Sequence, residues 1–228
     1  MVLKLYGSPL STCTRRVAIV LKEKNVPYEF FPVNLATGAH KSPEYLAKQP
    51  FGQVPYIEEE DGFQLFESRA IGRYIAVKYA GQGNKVLPDP ADLRAVAKFE
   101  QAASIELTNF DPFASQIAFE KVFKGGKGLG PADPKVVESL TRQLLLKLDA
   151  YEIILSKQKY LAGDVSITFL PIEHSLTTHQ QEVTLADLFH ITYGAMLAPL
   201  GVDALEDASK RPHLARRVHV GQLFLSKY

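Results

Sequence analysis

Phe51-Gly-Gln-Val-Pro-Tyr-Ile-Glu-Glu-Glu-Asp-Gly-Phe-Gln-Leu-Phe-Glu-Ser-Arg-Ala-Ile71 reads as a loop, a short strand, a tight turn, a second strand and a helix start. Val54-Pro55 places a proline at the first residue of a strand, where its missing N–H costs little. Asp61-Gly62, between Tyr56-Ile57 and Phe63–Phe66, predicts a hairpin closed by a type I′ turn, which needs positive φ. Ser68 falls where an N-cap belongs, ahead of Ile71, Tyr74 and Ile75 at helical spacing. One hairpin would then bring a backbone edge at Val54 close to a helix N-terminus at Ser68. Such a juxtaposition forms a cradle for a small peptide-like anion.

Outward from this hairpin, residues 1–80 alternate strand and helix patterns. Leu3 and Leu5 mark a first strand. Val17, Val20, Leu21 and Lys24 mark a helix face, closed by Asn25 and Pro27. Tyr28–Val33 reads as a second strand, and strand–helix–strand implies a right-handed parallel crossover. With the hairpin and a helix from Ser68 to Tyr79, the order is βαβ followed by ββα, a thioredoxin-like arrangement. Gly81, Gly83, Pro88 and Pro90 make residues 81–91 a linker. From about residue 92 to 228 the pattern is helical. Val137, Leu140, Leu144, Leu148, Tyr151 and Leu155 step by three or four and predict one buried face. The expected fold is an α/β thioredoxin-like N-terminal domain followed by an all-α helical bundle.

Composition narrows the function. The chain has 228 residues, 46% hydrophobic and 22% charged, with a net charge of +1. That balance offers no basic stripe for nucleic acid. The single cysteine excludes an internal disulfide framework and fits a reducing compartment. No apolar run approaches the roughly 18 residues of a membrane span. The beginning of the chain does not read as a signal peptide. The expected address is the cytoplasm, with no membrane or nucleic-acid partner and no metal site.

The 51–71 run resembles the glutathione-binding half of the glutathione transferases, whose strand opens with a cis proline and whose next helix opens with Glu-Ser. Leu5-Tyr-Gly-Ser-Pro-Leu-Ser-Thr-Cys-Thr-Arg-Arg-Val17 and Gly38-Ala-His-Lys41 are similar to the phi class, and Thr184-Leu-Ala-Asp187 extends the resemblance downstream. It implies that Ser11 stabilises the glutathione thiolate and that His40 and Lys41 hold the glycyl carboxylate. Gln53 and Val54, ahead of a cis Pro55, would meet the cysteinyl backbone. Ser68 would take the γ-glutamyl carboxylate and Glu67 the neighbouring ammonium. A hydrophobic electrophile would lie near Phe113, Ile117 and Phe119 between the domains, and the chain would be a homodimer. The implied reaction is conjugation of the glutathione thiolate to the electrophile, in detoxification.

Each of these residues also has a plainer reading. Ser11 could be only an N-cap, His40-Lys41 a solvated loop and Pro55 a trans proline. Ser68 and Glu67 could simply open a helix. Ser8 reads as a turn residue and Tyr6 as a packed strand aromatic. Cys13 is the main rival to Ser11, because related thiol transferases place a cysteine at the helix start. Its reading makes the chain a glutathione-dependent peroxidase or thiol transferase. A non-catalytic ligand-binding protein of the same fold is a further alternative. Thr184-Leu-Ala-Asp187 has the form of a capping box, and His190 beyond it reads as a core residue.

Two segments depart from the family pattern. Residues 165–181 separate Tyr160-Leu-Ala-Gly-Asp164 from the Glu182 that should follow it closely. The interruption reads as a translated, unspliced intron, with a surface loop as the alternative. Val218–Tyr228 continues the family's late helix poorly, and the chain has no tryptophan.

Overall fold

A computed structural model describes residues 2–163, 183–205 and 207–215. The interruption at 165–181 and the divergent stretch from Val218 lie outside the described residues. The chain divides into two compact units, Met1–Lys85 and Val86–Tyr228.

In the first unit, strand β1 (Leu3–Gly7) leads to helix α1 (Thr12–Glu23) and strand β2 (Tyr28–Pro32). A 3₁₀ turn at Ala39–Lys41 and helix α2 (Pro43–Leu46) follow. Strands β3 (Tyr56–Glu58) and β4 (Gln64–Phe66) then form the hairpin, and helix α3 (Ser68–Lys78) closes the unit. The sheet order is β2-β1-β3-β4. Strand β1 pairs in parallel with β2 and antiparallel with β3, so Leu5 lies opposite Phe30 on one side and Ile57 on the other.

Alternation along β1 gives the sheet two faces. Leu3 and Leu5 are buried, as are Val17, Val20 and Leu21 of α1, Ile57 of β3, and Ile71 and Ile75 of α3. Tyr6 belongs to the other face. Its ring stacks on Phe31 at 4.7 Å between centroids and on Tyr56 at 4.4 Å. Tyr6 is therefore the packed strand aromatic that the sequence suggested. Burial is the main cause that raises its phenol pKa, with the charge of Glu58 adding to it.

The hairpin turn differs from expectation. A type I′ turn needs positive φ at both central residues, and Asp61 has none. Instead the Gly62 N–H donates to Glu59 O (3.0 Å), Gly62 takes φ +87°, and the Glu59 N–H donates to Phe63 O (2.9 Å). The Asp61 carboxylate accepts from the Phe63 N–H at 2.9 Å. The connection is thus a three-residue loop with glycine at its left-handed position, because Asp61 serves the backbone better as an acceptor than as a strained turn residue.

The end of α1 is tied to the chain beyond α3. Lys24, buried despite its charge, donates from Nζ to Asn84 O (2.8 Å), while the Asn84 N–H donates to Glu23 O (2.8 Å). Desolvation lowers the Lys24 pKa. The Gln82 amide adds a bond to Lys24 O at 2.9 Å. Gly83 sits inside this clamp.

The second unit is helical. Helix α4 (Leu93–Ile105), a π-helical segment at Glu106–Phe110, helix α5 (Asp111–Ala118), a second π segment at Phe119–Phe123 and short helix α6 (Lys124–Gly126) follow one another. Pro112 has no N–H to continue the ladder, and the wider turn ahead of it lets the Asp111 N–H reach Glu106 O. Helices α7 (Pro134–Leu155) and α8 (Leu185–Leu197) pack against α5. Leu140, Leu144, Leu148, Tyr151 and Leu155 of α7 are buried as the periodicity predicts, whereas Val137 in the second turn is half-buried.

The Thr184 N–H and hydroxyl both donate to the Asp187 carboxylate, at 3.0 and 2.9 Å, which fixes the start of α8. His190 Nδ1 lies 2.7 Å from Ala186 O and must carry the proton there. In the neutral ring Nε2 then accepts from the Tyr151 hydroxyl at 3.0 Å. The pattern is structural. Burial raises the Tyr151 pKa, with the charge of Glu106 contributing.

Gly83 provides a stability test. Its φ is +60°, and a Cβ would lie 2.3 Å from Glu23 O and 2.5 Å from Lys24 Cα. Gly83→Ala is expected to cost about 2 kcal/mol or more, combining left-handed strain with overpacking. Gly62→Ala has φ +87° but open space around it, so it should cost roughly 1 kcal/mol from backbone strain alone. Urea midpoints at unchanged slope measure both.

Candidate active site

The turn between β1 and α1 is built around Thr14. A Cβ on Gly7 would lie 2.5 Å from the Thr14 methyl, so the strand must end on glycine for the helix to approach. The Ser8 N–H donates to Thr14 Oγ1 at 3.2 Å and Ser8 O accepts the Ser11 N–H at 3.0 Å. Ser8 is buried in this turn. Ser11 is the N-cap of α1, its Oγ accepting the Thr14 N–H at 3.3 Å. Capping uses an oxygen lone pair and leaves the hydroxyl proton to donate. The first-turn N–H groups beside it favour an anion.

Cys13 lies in the first turn of α1 and is half-buried. Its Sγ is 3.5 Å from Arg16 Nη1. The same Nη1 donates to Ser68 Oγ at 2.9 Å. The openings of α1 and α3 are thus joined through one buried guanidinium, which the sequence reading overlooked. The signal was present: Arg16, Val20 and Lys24 are spaced i, i+4, so a cation sits on the stripe that buries Val20.

Ser68 is not the N-cap of α3. It is the first helical residue, and the cap position is Glu67, with φ +71° and no side-chain cap bond. The chain turns sharply at Glu67, so its carboxylate is exposed while Ser68 points inward to Arg16. The two side chains stand adjacent but in opposite environments.

The remaining predicted residues meet at Gly52. Lys41 Nζ donates to Phe51 O at 3.0 Å. A Cβ on Gly52 would lie 2.7 Å from Lys41 Nζ and 2.8 Å from His40 O, so only glycine lets these segments touch. The Gln53 N–H donates to the Gln49 side chain at 3.2 Å, and Gln53 O accepts the Tyr45 hydroxyl at 2.7 Å. The Val54–Pro55 peptide is cis. Phe51 meets Phe66 edge-on at 6.1 Å, linking this loop to the strand that leads into Glu67. Residues 40, 41 and 53 thus gather around Gly52, and the Phe51–Phe66 contact joins this rim to the strand that leads into residues 67 and 68.

Of the three residues expected near the electrophile, Ile117 of α5 is fully buried and packs in the core of the helical unit, whereas Phe113 and Phe119 are half-buried. Three or more potential metal ligands do not cluster among the described residues. No described helix is long and apolar enough to cross a membrane.

Residues 1–77 match the family model of the glutathione S-transferase N-terminal domain. Glutathione S-transferase PM239X14 of Arabidopsis thaliana is 45% identical over 212 residues, covering 92% of this chain and 87% of that protein. The crystal structure of glutathione transferase F7 from Populus trichocarpa is 38% identical, with a TM-score of 0.79 over 95% of this chain and 91% of that one. A glutathione S-transferase I bound to lactoylglutathione is 31% identical, with a TM-score of 0.81 over 99% of each chain. The chain belongs to the glutathione S-transferase family and is phi-class-like.

The Tyr45–Gln53 bond tests how firmly the rim is held. Burial pushes the Tyr45 phenol up to about 12, so it remains a donor well above neutral pH. Tyr45→Phe should cost about 1 kcal/mol at pH 7 and loosen residues 51–55. Because the folded pKa is raised above its unfolded value of about 10, the wild type should lose stability as the pH rises from 10 toward 12, and the variant should lose less. Thermal melts at pH 7 and pH 11 measure both effects.

Proposed function

We propose that this chain binds glutathione along the 40–68 rim and transfers its thiolate to hydrophobic electrophiles. The observation that carries the assignment is Ser11, whose oxygen caps α1 while its hydroxyl proton remains available at the helix opening. A donated hydrogen bond and the first-turn N–H groups would stabilise a thiolate there and draw the thiol pKa down from about 8.5. The thiol proton goes to solvent, sulfur bonds to the electrophilic carbon, and a leaving group such as halide departs with its electron pair. Holding the two reactants together supplies further acceleration.

The other residues would hold the tripeptide. Lys41 spends one donor on Phe51 O and keeps two for the glycyl carboxylate, with His40 beside it. Val54 would offer its backbone to the cysteinyl residue, with Gln53 and Pro55 fixing that segment. Ser68 would bond the γ-glutamyl carboxylate, and the exposed Glu67 its ammonium. Phe113 and Phe119 remain the candidates for contact with the electrophile. The relative that holds lactoylglutathione supports a glutathione site in a chain of this fold. Homodimerisation, a cytoplasmic address and a detoxifying role are inferred from the resemblance.

Ser11→Ala should raise the pKa of bound glutathione by one to two units, the worth of a hydrogen bond to a charged group (roughly 1.5–3 kcal/mol), and leave affinity within about tenfold. It should also cost about 1 kcal/mol of stability through the lost cap. Thiolate absorbance and turnover of an activated aryl halide measure the first, thermal melts the second. Unchanged turnover near pH 7 would move the activating role elsewhere.

Cys13→Ser should keep most of the conjugating activity, because Cys13 Sγ is engaged by Arg16 behind the helix opening. Loss of activity in Cys13→Ser with retention in Ser11→Ala would favour thiol-transferase or peroxidase chemistry. Glutathione affinity without any turnover would instead indicate a binding protein.

A further inference from the structure

Arg16 has no solvent exposure, yet its guanidinium must remain charged. Burying a cation is costly, and tying α1 to α3 alone could be done by an apolar side chain of similar volume. The direction of its bond to Ser68 suggests why an arginine stands there. Arginine only donates, so Ser68 Oγ is the acceptor at 2.9 Å and the serine proton must leave in another direction. Ser68 is itself buried, and no described residue takes that proton. The first N–H groups of α3 begin at the same residue. A buried cation, a hydroxyl free to donate and a helix N-terminus therefore converge at one place, a combination suited to an anionic group. The exposed Glu67 carboxylate beside them would repel a lone anion but suits a ligand whose carboxylate carries an adjacent ammonium.

We propose that Arg16 is a positioning residue that acts through Ser68, holding its hydroxyl as a donor so that the site selects the zwitterionic α-amino-acid head of glutathione. This rests on the glutathione reading above. Arg16 does not touch the ligand. It sets the direction of the hydroxyl that does, and its charge lies one atom behind the bond.

Calorimetry with two ligands tests this: glutathione, and the analogue whose γ-glutamyl α-carboxylate is replaced by a carboxamide. The wild type should prefer glutathione by about tenfold or more, the loss of one hydrogen bond to a charged group. In Ser68→Ala and in Arg16→Gln that preference should collapse to within about threefold, while the pH profile of the bound thiol stays as in the wild type. The double variant should bind glutathione no more weakly than the weaker single variant, within about twofold, if both act in one line. Arg16→Lys keeps a cation without the planar fork, and its preference should be intermediate; it is the variant to measure if Arg16→Gln does not fold. Parallel weakening of both ligands in the Arg16 variants would mean a structural role and overturn the proposal, as would additive losses in the double variant. A wild type that binds both ligands equally overturns it and leaves the glutathione reading standing. A wild type that binds neither overturns both.

Discussion

Strand β1 is the constraint on which the first unit depends. It is paired on both edges, in parallel with β2 and antiparallel with β3, so its position fixes everything that leaves its C-terminal end. Gly7 and Thr14 convert that end into the start of α1 with no room for adjustment. Ser11 is therefore placed by the sheet and by the turn that Thr14 braces. The hairpin β3–β4 hangs on the other edge of the same strand and carries the chain directly into Glu67 and Ser68. Both ends of the proposed ligand are thus referenced to one rigid element, which suits a site that must hold geometry closely.

Two cations on α1 close this arrangement from either end. Arg16 binds the opening of α3 and Lys24 binds the chain that follows α3, and both are buried. Each donates to an oxygen on a segment at least 52 residues away in sequence. A buried charge with its hydrogen bonds made adds little net stability, but one whose partner is removed is strongly destabilising. The pair therefore penalises any register of α1 against α3 other than the native one more than it rewards the native one. Apolar contacts among Val17, Val20, Ile71 and Ile75 would tolerate a sliding helix; a guanidinium that must find Ser68 would not.

The strands, the crossover, the long α7 face and the α8 start were legible because periodicity and capping act over neighbouring residues. The details that failed share a cause. Asp61-Gly62 marks a turn, but whether aspartate takes a left-handed conformation or serves as an acceptor depends on the strand pairing on both sides of it. Ser68 has the side chain of an N-cap, yet Glu67 takes that position because Arg16, far away in sequence, claims the serine oxygen. Ile117 looked available on a helix whose apolar positions could be assigned to the core or to a ligand. Only its packing beneath α7 and α8 decides for the core. Arg16 was missed for the opposite reason: it was visible on an apolar stripe, but charge on such a stripe acquires meaning only when a partner is known.

Ser11 and Ser68 illustrate one physical device used twice. A hydroxyl can accept and donate at once, and an isolated one rotates freely between the two. Here each oxygen is committed as an acceptor within the fold, to the Thr14 N–H in one case and to Arg16 in the other. Engaging one lone pair restricts the rotor and leaves the proton free to donate, so little reorganisation would be needed when an anion arrives. The partners differ in charge, and so should the consequences. A neutral N–H behind Ser11 leaves its donor strength near that of an ordinary serine, which on the proposed reading would favour a thiolate without trapping it so firmly that it ceases to be a nucleophile. A guanidinium behind Ser68 polarises the hydroxyl and makes it a stronger donor, which suits a carboxylate that must be held and never react. On the proposed reading, the sulfur that must react would receive the weaker hydrogen bond and the carboxylate that must stay would receive the stronger one.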